Sequence, residues 1–114
     1  MIYATQMPHI MGNNGLEPKH PELADPGSML RVRMERQFGS LIWVLQPNEA
    51  PWSPGVMDKL REALHGYADE DYLLCLGNPI LLAMVAVFAS ERSDKLRFLQ
   101  WNRYDGYKPL TVEL

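Results

Sequence analysis

Ten consecutive residues, Ile80 to Ala89, carry no polar side chain. A shorter apolar run, Tyr72 to Leu76, precedes them, and only Gly77, Asn78 and Pro79 lie between. The shorter run is apolar on both faces, which suits a central parallel strand. Gly77 permits a tight turn, Asn78 is a good helix N-cap, and Pro79 fits the first helical position, where its missing N–H costs nothing. The pattern predicts a buried strand, a turn and an apolar helix over 79–92.

The flanking segments have their own periods. Leu30, Val32 and Met34 alternate with Arg31, Arg33 and Glu35, which predicts a half-exposed edge strand. Leu41 to Leu45 reads as a second central strand. A loop with two prolines follows, and Trp52 is placed to fold back as a hydrophobic staple before an N-cap at Ser53. Val56, Leu60, Ala63, Leu64 and Tyr67 recur at helical spacing opposite Asp58, Lys59, Arg61 and Glu62, an amphipathic helix ending near Gly66. Lys95 to Trp101 reads as a third core strand. Asp105-Gly106 signals a hairpin, and Lys108 to Leu114 returns with Leu110, Val112 and Leu114 inward. Pro109 cannot donate to a ladder, so this last strand belongs at an edge.

Residues 1–29 differ from the rest. They hold Pro8, Pro18, Pro21 and Pro26 and three glycines, and no period survives in them. They read as an extended N-terminal arm, with residues 30–114 as a single domain. Ile2, Tyr3, Met7, Ile10, Met11 and Leu16 give the arm apolar grip, so an ordered arm must lie on its own domain or on a neighbouring chain.

Alternating elements imply an α/β fold: a small three-layer βαβαβ unit with a parallel central sheet, antiparallel edge strands and a C-terminal hairpin. The strand over 41–45 is expected beside the strand over 72–76. A two-layer arrangement with both helices on one face fits the same pattern.

Composition narrows the function. The chain has 114 residues, 46% of them hydrophobic, enough for a proper core, and a net charge of −3 that disfavours nucleic-acid phosphate. Arg31, Arg33 and Arg36 could touch phosphate but read as a solvated face. The single cysteine, Cys75, excludes an intramolecular disulfide and any cysteine-based metal site, and reads as an inert core thiol. The first residues lack a secretory signal pattern, and the longest apolar run is about half a bilayer span. A cytoplasmic protein with no membrane association is expected.

Candidate chemistry is sparse. Open parallel sheets bind ligands at the carboxyl ends of their strands. There the helix N-terminus at Gly77 and Asn78 could hold an anion or a nucleotide phosphate, with Arg103 as countercharge. The segment lacks the glycine-rich and Walker-type patterns. His9, His20 and His65 are scattered, no metal-ligand spacing occurs, the acidic Ala68–Asp71 loop reads as a solvated turn, and no catalytic residue or cofactor is called for. Ala83, Ala86 and Ala89, at a spacing of three, form a stripe that allows close approach of another element. One sheet covers only one side of an all-apolar helix, so the far side must meet the arm, another helix or a second chain.

The block Asp71 to Pro79, the apolar helix, Leu99 to Arg103 and Tyr107, together with Pro47 to Pro54, resembles a group of small proteins encoded by bacteriophages. The likeness spans about residues 41–114, and the group often carries an acid where this chain has Asn78 and Asn102. It implies a viral origin, acting in the host cytoplasm or on the virion, and brings no activity or catalytic residue. The expected function is a non-enzymatic interaction or assembly protein that binds itself or a larger protein complex. The alternative is a small nucleotide- or phosphate-binding protein using Gly77 and Asn78.

Overall fold

The computed structural model describes residues Met1–Leu114. Seven strands and four helices follow in the order β1 (Ile2–Ala4), β2 (His9–Gly12), β3 (Gly15–Pro18), α1 (Pro21–Ala24), α2 (Met29–Phe38), β4 (Leu41–Trp43), α3 (Val56–Leu64), β5 (Tyr72–Leu74), α4 (Pro79–Ser90), β6 (Lys95–Asn102) and β7 (Gly106–Glu113). The main sheet has the order β4-β1-β5-β6-β7. Its first four strands run parallel and β7 closes the edge antiparallel to β6. Helices cover both faces, so the fold is the expected three-layer α/β arrangement. Both helices expected from the sequence, α3 and α4, lie on one face, over Tyr3, Leu73 and Leu96. The opposite face is covered by α1 and α2, which bury Leu23, Met34 and Phe38 against Ile2, Ala4, Leu41, Leu74 and Leu99. Neighbouring residues of one strand point to opposite layers, as the pleat requires.

The first residues are not a detached arm. Ile2–Ala4 is the strand between β4 and β5, pairing Ile2 with Leu41 on one side and with Tyr72 on the other. The strands over 41–45 and 72–76 are therefore not neighbours. Three residues are too short to show a period, but all three are buried, which marks a central strand. Asp71, itself buried, fixes the start of this strand by accepting from the N-terminal ammonium at 3.1 Å and from the Ala68 amide at 2.9 Å. The next residues form a separate hairpin, β2-β3, with Ile10, Met11 and Leu16 exposed.

Leu30 to Glu35 is helical, not an edge strand. Alternation over six residues also fits one side of a helix, and the longer register Leu30, Met34, Phe38 decides it. Leu, Arg, Met, Glu and Gln favour a helix, the Ser28 hydroxyl caps the Arg31 amide at 3.2 Å, and Arg31 pairs with Glu35 one turn on. Gly39 ends the helix at φ 104° with its amide on the Glu35 carbonyl.

Three local expectations also change. Ser53 and Pro54 do not start α3; with Gly55 at φ 81° they form a turn with proline second and glycine third, the type II pattern, and the helix begins at Val56. Trp52 is no staple and stands exposed. In the β6–β7 hairpin, Asn102 pairs with Gly106 across the turn Arg103-Tyr104-Asp105, and only Gly106 has positive φ. Leu110, Val112 and Leu114 are exposed, not inward, because neither α3 nor α4 extends over β7 on that face. Pro109 does sit on an edge strand.

Tyr67 ties the amino ends of β5 and β6 together. Its hydroxyl lies within hydrogen-bond distance of the Asp71 and Lys95 carbonyls, at 3.4 and 3.3 Å, and accepts from the Arg97 amide at 3.1 Å. Burial raises its pKa above the ordinary tyrosine value, and burial does the same for Tyr3. A tyrosine with a raised folded-state pKa adds stability below its unfolded pKa, near 10, and loses it as pH rises through the folded value. Thermal melts should therefore fall above pH 10, and more steeply than in Tyr67→Phe. Tyr67→Phe itself should cost about 1–3 kcal/mol at pH 7 in urea unfolding, since it orphans the Arg97 amide. An unchanged midpoint would remove this role.

Candidate functional site

The strand order places a switch point between β1 and β5. The chain leaves β1 toward β4 through helices on one face, then crosses to β5 through a helix on the other. In open parallel sheets the crevice at the carboxyl ends of two such strands is the usual ligand position. Here the segments after β1 and β5 approach closely. The Thr5 hydroxyl donates to the Leu76 carbonyl at 3.3 Å. Gly77 turns at φ 105°, and a Cβ there would lie 3.0 Å from Thr5 Oγ1 and 3.3 Å from the Gln6 carbonyl. Only glycine meets both the backbone and the space requirement.

A cavity of about 300 Å³ opens beside this contact. Gln6 and His9 line it from the β1 side, Lys19 and His20 from the end of the β2-β3 hairpin, and Gly77 and Asn78 from the start of α4. The Gln6 side-chain amide is held by the Gln46 and Glu49 carbonyls. Lys59 bonds the Glu49 carboxylate at 2.7 Å and lowers its pKa, as does the Gln46 amide. Lys19 is exposed and makes no ion pair, so positive charge faces the amino end of α4. Asn78 is the N-cap, its Oδ1 accepting from Ile80 at 2.8 Å and Leu81 at 3.3 Å. The cap is complete without a ligand.

Of the three anticipated ligand residues, Gly77 and Asn78 meet at the crevice and Arg103 does not. Arg103 lies at the hairpin tip, over the Tyr104 ring and bonded to its hydroxyl at 2.7 Å. His9, Lys19 and His20 were missed because the crevice is assembled by a hairpin that shows no strand period; proline and glycine spacing around Asn13-Asn14 was its one signal. Cys75 is half-buried in a neighbouring cavity with Leu76, Trp101 and Tyr107, and burial pushes its thiol pKa up. No cluster of three or more His, Cys, Asp or Glu is arranged to hold a metal ion.

A second surface lies on the α3/α4 face. On α4, Leu81, Val85, Phe88 and Ala89 are buried, whereas Ile80 and Val87 remain 58% and 48% exposed and Ala83 is exposed. The alanine stripe is thus divided: Ala89 is core, Ala86 half-buried, Ala83 open. Register pairs Phe98 with Leu110 and Leu96 with Val112, so the bare side chains of β7 share a face with α4. Ile80, Ala83 and Val87 on the outer side of α4 and, separately, Leu110 and Val112 on β7 with Leu114 just beyond it are exposed apolar positions.

The chain is thus a doubly wound open-sheet α/β protein with a polar crevice at its switch point and exposed apolar positions on α4 and at the β7 edge. The sequence model of the Phage Pam3 gp32-like protein family matches residues 30–114, and the chain belongs to that family of phage proteins. No curated protein and no solved structure matches the chain. No helix is long and apolar enough to cross a membrane.

Two outcomes test this local account. Asn78→Ala should cost about 1 kcal/mol through loss of the cap, while Asn78→Asp retains the stability; equal losses in chemical unfolding would contradict it. The Cys75 thiol should react with a disulfide reagent at pH 8 at least about tenfold more slowly than free cysteine, because burial disfavours the thiolate.

Proposed function

We propose that this phage-family protein is a non-enzymatic interaction protein that acts by associating through the exposed apolar residues of α4 or of the β7 edge, within the host cytoplasm or on the virion. The observation that carries the reading is the exposure of apolar residues at two places, Ile80, Ala83 and Val87 on α4 and Leu110, Val112 and Leu114 at the β7 edge. A helix apolar all round belongs in a fully covered position. The sheet and α3 cover only part of α4, and the amino-terminal residues, which lie in the sheet and on its other side, cannot cover the rest. An exposed apolar patch of this kind marks a protein contact.

A photo-cross-linking residue at Val87 or at Leu110, in the full chain expressed in a bacterial host, should give covalent protein adducts. The same residue at Asp58, on the polar face of α3, should not. Adducts no stronger at Val87 and Leu110 than at Asp58 would contradict the reading.

A second reading is supported by the crevice. Lys19, with the His9 and His20 imidazoles, lines the crevice at the capped amino end of α4, where a basic side chain and the positive end of the helix dipole would attract a phosphate group. Inorganic phosphate or a nucleoside monophosphate should then shift the amide resonances of Gly77 and Asn78 in a saturable way, and Lys19→Ala should weaken the effect. Unmoved resonances would end this reading.

A further inference from the structure

We infer that the switch-point crevice and the aromatic cavity beside it are two halves of one site, which takes a nucleoside monophosphate with its phosphate in the crevice and its base against Trp101. The inference rests on the phosphate reading of the crevice given above and names the rest of the ligand.

The two spaces adjoin. His20 and Leu76 line both the crevice of about 300 Å³ and the cavity of about 160 Å³. Both lie at the carboxyl ends of parallel strands: Gln6 follows β1, Cys75 and Leu76 follow β5, and Trp101 is near the end of β6. That is the rim where open α/β sheets bind ligands. Alone, the cavity is smaller than the roughly 300–1,000 Å³ of a site for a whole organic ligand, so it suits one flat ring system. Joined to the crevice, it reaches that range.

The linings differ in the way such a ligand requires. The cavity is mainly apolar and aromatic. Trp101 meets Tyr107 edge-on, 5.2 Å between ring centres, and 53% of Trp101 stays exposed, which leaves indole surface for a base to stack on. Unpaired charges of opposite sign mark the two ends. Glu22 lines the cavity, Lys19 lines the crevice, and neither is in an ion pair. Burial, and after it the Glu22 charge, raises the Tyr107 pKa, which places the carboxylate close to that ring. A carboxylate accepts from ring N–H groups and repels an anion, whereas an ammonium attracts phosphate. The ligand therefore has one orientation, base toward Glu22 and phosphate toward Lys19. Guanine, with neighbouring N–H donors on one edge, matches an acceptor carboxylate best. His20, at the border of the two spaces, falls beside the sugar.

The test is titration of the full chain with inorganic phosphate, guanosine and guanosine monophosphate, followed by amide and indole resonances. Phosphate should move Gly77 and Asn78 and leave the Trp101 indole in place. The monophosphate should move all three together and bind at least about tenfold more tightly than phosphate, within what base stacking contributes. Trp101→Ala and Glu22→Gln change exposed side chains, so each should keep the wild-type circular dichroism. Each should weaken the monophosphate at least about fivefold without weakening phosphate. A monophosphate that binds no more tightly than phosphate and leaves Trp101 unmoved overturns the inference, and the phosphate reading stands. Guanosine binding as tightly as its monophosphate also overturns it, as does a monophosphate affinity that either variant leaves at the wild-type value. No response to any of the three compounds removes the phosphate reading and this inference with it.

Discussion

The pairing of Ile2–Ala4 between β4 and β5 is the constraint on which the rest of the structure depends. Without it the two strands would face each other across about 10 Å, twice the ladder spacing, with no hydrogen bonds between them. Ile2, Tyr3 and Ala4 are all buried, and they feed both layers, Ile2 and Ala4 toward α2 and Tyr3 toward α3 and α4. The same strand creates the switch point, because the chain must leave its two sides through opposite faces. The crevice at Gly77 is therefore a consequence of where the first residues go.

Helix coverage explains the second surface in the same terms. Two helices on the α3/α4 face are enough for four strands, and the hairpin strand β7 extends the sheet by one. Leu110, Val112 and Leu114 are left bare for that reason, and the outer side of α4, at Ile80, Ala83 and Val87, is bare because no further layer lies over it.

Much of this was legible in the sequence. The strand, turn and helix from Tyr72 onward could be read because each local signal agreed: a short apolar run, a glycine, an asparagine cap, a proline. The edge position of β7 followed from Pro109. What could not be read was non-local. A three-residue strand carries no period, so β1 was invisible until its neighbours were known. Leu30 to Glu35 satisfied both periods. Leu110, Val112 and Leu114 alternate as core residues do, and only the missing helix above them leaves them bare. The crevice was half legible: Gly77 and Asn78 are local punctuation, whereas His9, Lys19 and His20 reach it through a hairpin without a hydrophobic pattern.

The family match begins at residue 30, so β1, the strand between β4 and β5, lies outside the matched stretch. A chain comprising residues 29–114, compared with the full chain by far-ultraviolet circular dichroism and a two-dimensional amide spectrum, tests the central claim most directly. The account predicts collapsed amide dispersion and no cooperative melt for the shortened chain, restored neither by salt nor by concentration. A shortened chain with native dispersion and an unchanged melting temperature would contradict it.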